Sequence, residues 1–210
     1  MTVPAEQLLE TLERARSAGF LGPGPVEAHI RHAEGFAAAV EGALGREPAN
    51  FADLGTGGGV PGLVLGMRWT RAHGIFVDSG QRRCAWLREA VLELDLEYRI
   101  DVMEDRAEAI GRPGEWREQY EAVTARSFAG PAVTAEIAAG LVQIGGVLVV
   151  SEPPAADNLR WPADGLRDLG FDAAEHLEFA EAHFVAVHKV TAAPERFPRR
   201  VGQPGKRPLW

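Results

Sequence analysis

The chain has 210 residues, 46% of them hydrophobic, a net charge of −8 and one cysteine. That length suits one domain with small additions, the apolar content suffices for a core, and no apolar run is long enough to span a membrane. Charge is uneven, because from Lys189 to Trp210 there are six basic residues (Lys189, Arg196, Arg199, Arg200, Lys206, Arg207) and one acid, Glu195. A basic end on an acidic body points to an anionic partner or to a solvated tail.

Taken in order, Met1-Thr-Val-Pro-Ala-Glu6 lacks the basic and apolar regions of a secretion signal, so a cytoplasmic location is expected. Leu8, Leu9 and Leu12 share one stripe of a helix over 5–17, which Gly19-Phe-Leu-Gly-Pro-Gly-Pro25 breaks. A second helix over 26–44 carries Ile30, Ala33, Ala37 and Val40 on one face. His29 and His32 lie on it without enough neighbouring ligands for a metal and read as surface or packing residues. Residues 1–48 thus form a helical extension.

From 49 to 192 strand and helix alternate, the sign of βαβ units. Strands are expected at 51–54, 74–78, 98–103, 120–126 and 145–151, with helices at 62–71, 81–94 and 131–142. Cys84 sits in the second of these helices and reads as packing. One cysteine also excludes an internal disulfide and a cysteine-rich metal site, and no metal is expected. After Pro153-Pro154, a helix near 157–169 leads to a hairpin of strands 171–177 and 182–190. A basic tail occupies 193–210.

The organising stretch is Asp53-Leu-Gly-Thr-Gly-Gly-Gly-Val-Pro-Gly62. Gly55, Gly57 and Gly59 let the backbone take positive φ and approach a ligand, and Pro61 suits the first turn of a helix. Gly57 to Gly62 fits G-x-G-x-x-G, where a helix N-terminus receives a pyrophosphate. Read from Asp53, the same residues give D-x-G-x-G-x-G, the loop of class I S-adenosylmethionine-dependent methyltransferases, whose cofactor carries an amino group and a sulfonium but no phosphate. A glycine-rich turn without a ligand is the third reading. The late hairpin, and the lack of room for a second domain, favour the methyltransferase. The expected fold is therefore α/β and Rossmann-like, with a seven-stranded, mostly parallel sheet and a reversed last strand.

Asp78 ends the second strand, where a carboxylate can accept ribose hydroxyls of either cofactor. Asp53 is placed to orient the methionine amino group, directly or through water. Ala107 and Glu108, past the third strand, are placed for the adenine edge. Arg126 ends the fourth strand, beside the substrate mouth or in an ion pair with an acid. Ala125-Arg126-Ser127-Phe128 stands where amino-methylating enzymes carry Asn/Asp-Pro-Pro-Tyr/Phe, and no base stands out. Guanine N7 has a free lone pair, so its methylation needs mostly positioning and exclusion of water.

The glycine loop, Val77-Asp-Ser79 with Arg82-Arg83 and Leu87-Arg88, Arg106-Ala-Glu108, Thr124-Ala-Arg-Ser127 and the tail Phe197-Pro-Arg-Arg-Val-Gly-Gln-Pro-Gly-Lys-Arg-Pro-Leu209 together resemble one family. It is the bacterial small-subunit rRNA guanine-N7 methyltransferase family, also called glucose-inhibited division protein B. The resemblance implies S-adenosyl-L-methionine as cofactor and 16S rRNA or the small ribosomal subunit as partner, with a monomer that needs no membrane. It puts Gly55, Val60, Ala107, Glu108 and Arg126 at cofactor contacts, with Asp53, Thr56, Gly57, Gly59, Asp78 and Ser79 completing the expected set. No catalytic residue is implied beyond Arg126 positioning substrate. Arg199, Arg200, Lys206 and Arg207 would meet RNA.

Two departures stand out. The N-terminal segment is shorter and lacks the family's Trp-Asn element, and Ser151-Glu152-Pro153-Pro154 replaces its usual Lys-Gly, putting an acid where a base often faces RNA. A relative with another substrate, or a non-catalytic cofactor- or RNA-binding protein, stays open. Pro198, Pro204 and Pro208 predict an extended, irregular tail; packing of Leu209 and Trp210 onto the domain is compatible with it.

Overall fold

A computed structural model describes residues 5–154 and 158–210. Two helices lead, α1 (Ala5–Ser17) and α2 (Val26–Leu44), followed by β1 (Asn50–Leu54), α3 (Gly62–Arg68), β2 (His73–Asp78) and α4 (Gln81–Glu93). Next come β3 (Ile100–Glu104), α5 (Ala107–Ile110), β4 (Tyr120–Ala125), α6 (Pro131–Ala139) and β5 (Val142–Glu152). A 3-10 turn (Asn158–Arg160), α7 (Ala163–Asp168), β6 (Glu175–Phe179), β7 (Ala182–His188) and α8 (Gln203–Lys206) complete the order.

The strands form one seven-stranded sheet in the order β3-β2-β1-β4-β5-β7-β6. Pairs from β3 through β5 are parallel, and β7 runs antiparallel to both β5 and β6, as the late hairpin predicts. Strand order reverses between β1 and β4, which opens a crevice at the carboxyl ends of these strands. Helices cover both faces, so the central strands are apolar on both sides. Phe51, Phe76, Val147 and Val149 face the layer containing Leu12, Phe36 and Leu63. Their neighbours Ala52, Ile75, Leu148 and Val150 face the layer of Ile137, Leu166 and Phe197. The N-terminal helices belong to this body: Phe36 of α2 meets Phe184 of β7 edge-on at 4.9 Å between ring centres.

Several boundaries differ from expectation for identifiable reasons. Helix α3 stops at Arg68 because Trp69 turns into the core against Phe51, its Nε1–H donating to Glu41 at 2.9 Å. Strand β3 starts at Ile100, since Tyr98 is exposed and the Arg99 guanidinium donates to the carbonyls of Gly66, Trp69 and Ala72. Strand β5 begins before Gly145-Gly146 and continues through an irregularity in its register with β4, Gly145 having φ +83°. Strand β4 ends at Ala125, leaving Arg126 outside the ladder. Helix α6 closes at Ala139, with Gly140 as its cap and Leu141 and Val142 buried beyond it. Phe171 makes only a bridge to Lys189, so the hairpin's first strand is Glu175–Phe179. Asp157, the head of the helix expected near 157–169, lies outside the described residues, as do 1–4 of the segment read for a secretion signal; the described part is the 3-10 turn and α7.

The tail departs most from an extended segment. Arg117 donates to the carbonyls of Ala193 and Phe197, both at 2.8 Å, and Phe197 is buried. Trp210 donates from Nε1 to the Arg160 carbonyl at 3.0 Å and so packs onto the domain, whereas Leu209 is exposed. Lys189 is not part of a basic surface. It is buried, donates to the Ala139 carbonyl at 2.5 Å and lies 3.2 Å from Glu118.

Candidate cofactor and acceptor sites

The glycine loop is fixed from below by Asp53. This side chain is fully buried, and its carboxylate accepts the Thr124 hydroxyl at 2.8 Å and the Gly62 N–H at 3.1 Å. The second bond orients the first turn of α3. A Cβ on Gly62 would lie 2.8 Å from Asp53 Oδ2, so close approach of helix to strand requires glycine here. Burial pushes the Asp53 carboxyl up to about 7, against the hydrogen bonds from Thr124 and Gly62. The Thr56 hydroxyl donates to the Asp53 carbonyl at 2.9 Å, and the Gly55 N–H donates to the Val77 carbonyl at 2.8 Å. Gly57, at φ +57°, turns its N–H to Asp78 Oδ2 at 3.0 Å.

Asp78 ends β2 and joins this loop to α4. It accepts the Gly80 N–H at 2.8 Å and a forked guanidinium from Arg83, whose nearest nitrogen is at 2.7 Å. Burial pushes its pKa up, but Arg83 and the N–H groups of Gly80 and Gly57 together hold it below the usual carboxylate range. Glu108 in α5 is treated alike. Buried itself, it accepts Arg106 at 3.0 Å and the Gly202 N–H of the tail at 3.2 Å, and these offset burial to keep its pKa low. Both carboxylates are therefore charged at neutral pH, ready to accept hydroxyl or amino donors.

Between them lies a cavity of about 500 Å³, within the range of small-molecule sites. Of the residues expected at the cofactor, Gly55, Gly57, Asp78, Ser79, Ala107 and Glu108 line it. Asp53, Thr56, Gly59 and Val60 do not line it; all four are buried beneath the loop and shape it from behind. The lining also includes Phe20, Arg83, Arg106, Phe128 and Gly205, which sequence reasoning did not place there. Phe20 comes from the glycine- and proline-rich break between α1 and α2, a hydrophobic side chain in an otherwise turn-like stretch. Phe128 lies close enough that a Cβ on Gly55 would come within 2.7 Å of its ring. Cys84 is buried packing, its thiol pushed up chiefly by burial.

A second cavity, about 430 Å³, lies at the carboxyl ends of β4 and β5 and shares Ser127, Phe128 and Ala129 with the first. Arg126 lines this one rather than the first; its Nη2 lies 2.7 Å from His29 Nδ1, and it forms no close ion pair among the described residues, the Asp53 carboxylate acting on it at longer range. His29 is thus a buried support, also 3.2 Å from the Gly22 carbonyl. His32 lines the second cavity and packs edge-on to Phe36 and tilted against Phe184. Burial, with the nearby charge of Arg126, lowers His32 to about 4, so it is neutral near pH 7.

The tail residues separate into two sets. Arg199 is folded inward, donating to the buried Glu136 carboxylate at 2.5 Å and to the Arg207 carbonyl at 2.8 Å. Arg200, Lys206 and Arg207 are exposed and form no ion pair among the described residues. The RNA expectation for Arg199 is revised accordingly, because its charge is already neutralised inside the domain.

The residues around the first cavity fit S-adenosylmethionine: a tight glycine turn presents backbone, and charged carboxylates end β2 and follow β3. With the reversed β7 and the late hairpin, the fold and site define a class I S-adenosylmethionine-dependent methyltransferase. Solved structures agree on the fold: a SAM-dependent O-methyltransferase from Thermotoga maritima has TM-score 0.63 at 13% identity, covering 88% of this chain and 73% of that one. An O-methyltransferase from Bacillus cereus in complex with SAH has TM-score 0.59 at 15% identity, covering 90% and 93%. At such identities the likeness concerns fold alone.

Sequence comparison carries the family. The family model for rRNA small subunit methyltransferase G matches residues 31–157. A ribosomal RNA small subunit methyltransferase G of Carboxydothermus hydrogenoformans is 32% identical over 167 residues, 76% of this chain and 71% of the relative. Its counterpart in Roseiflexus castenholzii is 33% identical over 171 residues, 79% and 73%. The chain belongs to the rRNA small subunit methyltransferase G family.

Proposed function

We propose that this protein transfers the methyl group of S-adenosylmethionine to N7 of a guanosine in 16S rRNA of the small ribosomal subunit, acting as a cytoplasmic monomer. The observation that carries this reading is the pair of adjoining cavities meeting at Ser127-Phe128-Ala129, in a chain of an rRNA methyltransferase family. When bound, the cofactor supplies a methyl carbon activated by a neighbouring sulfonium. The guanine N7 lone pair forms the new N–C bond as the S–C bond breaks, and no proton has to be removed first. The chain's task is then to bind, orient and exclude water. Gly57 and Asp78 position the cofactor side, and Arg126 with Phe128 bounds the acceptor side. Arg200, Lys206 and Arg207 are available for phosphates, a contact that positions RNA without reading sequence. In this reading 49–192 is the catalytic body, while 1–48 and 193–210 serve it as wall and RNA contact.

Incubating the purified protein with tritiated-methyl cofactor and 16S rRNA, free or within small subunits, tests the proposal. Label in the RNA, with strand scission at one guanosine after borohydride and aniline, is the expected result. Label absent from both substrates would contradict it.

A further inference from the structure

Three side chains around the second cavity have a buried polar atom without a hydrogen-bond partner: His32 Nδ1, Glu152 Oε2 and Trp161 Nε1. Two more such atoms occur among the described residues, on Glu97 and Tyr120, and both of those residues line a cavity at the opposite, amino ends of the strands. Trp161 is 3% exposed and Glu152 9%. Groups this buried are normally paired, because leaving them unpaired is costly. Glu152 Oε2 lies 3.0 Å from Arg160 Nη1, close enough for charge attraction yet unaligned for a hydrogen bond. The cavity thus carries an unfilled carboxylate acceptor, an unfilled indole donor and a neutral imidazole, beside an aromatic wall, Phe128, shared with the cofactor cavity.

We propose that Glu152 and Trp161 read the Watson–Crick edge of the acceptor guanine, Glu152 accepting its N1–H and 2-amino groups while the Trp161 N–H donates to O6. This deepens the proposed guanosine methylation and rests on it. The donor and acceptor types match guanine alone among the bases. Adenine offers a bare N1 where Glu152 wants a donor and an amino group where Trp161 wants an acceptor. Uracil lacks the 2-amino group, and cytosine has an acceptor at N3. Holding guanine by that edge leaves N7, on its other side, free to face the shared wall. A base read in this way is unstacked from the RNA, which suits a ring beside Phe128. A carboxylate here selects a base edge, while RNA phosphates are met by the basic residues of the tail.

The test begins by locating the methylated guanosine in 16S rRNA and replacing it with inosine, which lacks only the 2-amino group. The parent protein should lose about 10-fold or more in kcat/KM on the inosine substrate, the scale of one hydrogen bond to a charged group. Glu152→Gln should lose about 10- to 100-fold on guanosine and discriminate guanosine from inosine by less than about twofold. Trp161→Phe, which keeps the ring and removes the N–H, should lose about 5-fold or more on both. Calorimetric affinity for S-adenosylmethionine should be unchanged in both variants, since neither residue lines the cofactor cavity. Parent-like kcat/KM in Glu152→Gln, parent-like preference for guanosine over inosine, or loss of cofactor binding would each overturn the assignment. A parent protein that leaves 16S rRNA unmethylated would instead defeat the functional reading beneath it.

Discussion

A carboxylate shut away from solvent at the end of a strand has to be stabilised by hydrogen bonds, by a proton, or by both. Asp53 has two donors, Thr124 and Gly62, and burial still raises its pKa from an ordinary 3.8 to about 7. The folded state therefore holds this proton more tightly than the unfolded chain. The associated stability is complete below about pH 3.8 and is lost as pH rises through about 7. Asp53→Asn cannot titrate, so urea unfolding at pH 5 and pH 8 should show the parent losing more stability on alkalinisation than the variant. The difference should approach about 1.4 kcal/mol per pH unit within that window; parallel pH profiles would contradict the assignment. Gly57 makes a complementary case on the backbone. At φ +57° a β-branched side chain is strained, so Gly57→Val should weaken cofactor affinity by about 10-fold or more in calorimetry, with circular dichroism unchanged. Affinity equal to the parent's would show that the loop does not bear on the ligand. The placement of Asp53, Gly57, Asp78 and Glu108 around the glycine turn was legible from sequence because each position is set within a strand and the turn after it. Arg83 and Arg106 were legible as residues but not as partners, since their pairing with Asp78 and Glu108 depends on the angle at which each following helix leaves.

At the scale of elements, strands and helices follow the alternation of the sequence, and the misplaced ends have tertiary causes. Trp69 is a good helix continuation by pattern, yet burial against Phe51 ends α3 before it. The Gly145-Gly146 pair reads as a break and is instead an irregularity within β5. The tail is the largest case. Arg199 and Glu136 are far apart in sequence, and nothing local marks one as the other's partner. Removing the arginine leaves a buried carboxylate uncompensated, so Arg199→Ala should cost about 3–5 kcal/mol in urea unfolding. The triple replacement of Arg200, Lys206 and Arg207 with Ala should change stability by less than about 0.5 kcal/mol. The same variant should bind 16S rRNA more weakly, with the slope of log affinity against log salt reduced by about 2 to 3. An unchanged slope would remove these residues from the RNA interface, and an undiminished stability for Arg199→Ala would remove that residue from the fold's support.

Across the whole molecule, the reversal of strand order between β1 and β4 places both cavities at the carboxyl ends of the central strands; the N-terminal segment contributes to the walls of both, and the C-terminal segment to the first. Phe20 enters from the break between α1 and α2, and Gly205 from α8, while the Gly202 N–H binds Glu108. The first cavity is thus assembled from three parts of the chain. The glycine loop and its carboxylates could be seen in sequence. The walls could not, because they depend on how the two ends fold back over the sheet. The central claim is that S-adenosylmethionine binds where the Gly57 turn meets Asp78. Calorimetric titration of the parent and of Asp78→Ala with the cofactor tests it most directly. Saturable binding by the parent, with affinity reduced at least about 10-fold in a variant that stays folded, is the predicted result. Equal affinity in the two proteins would place the cofactor elsewhere and contradict the account.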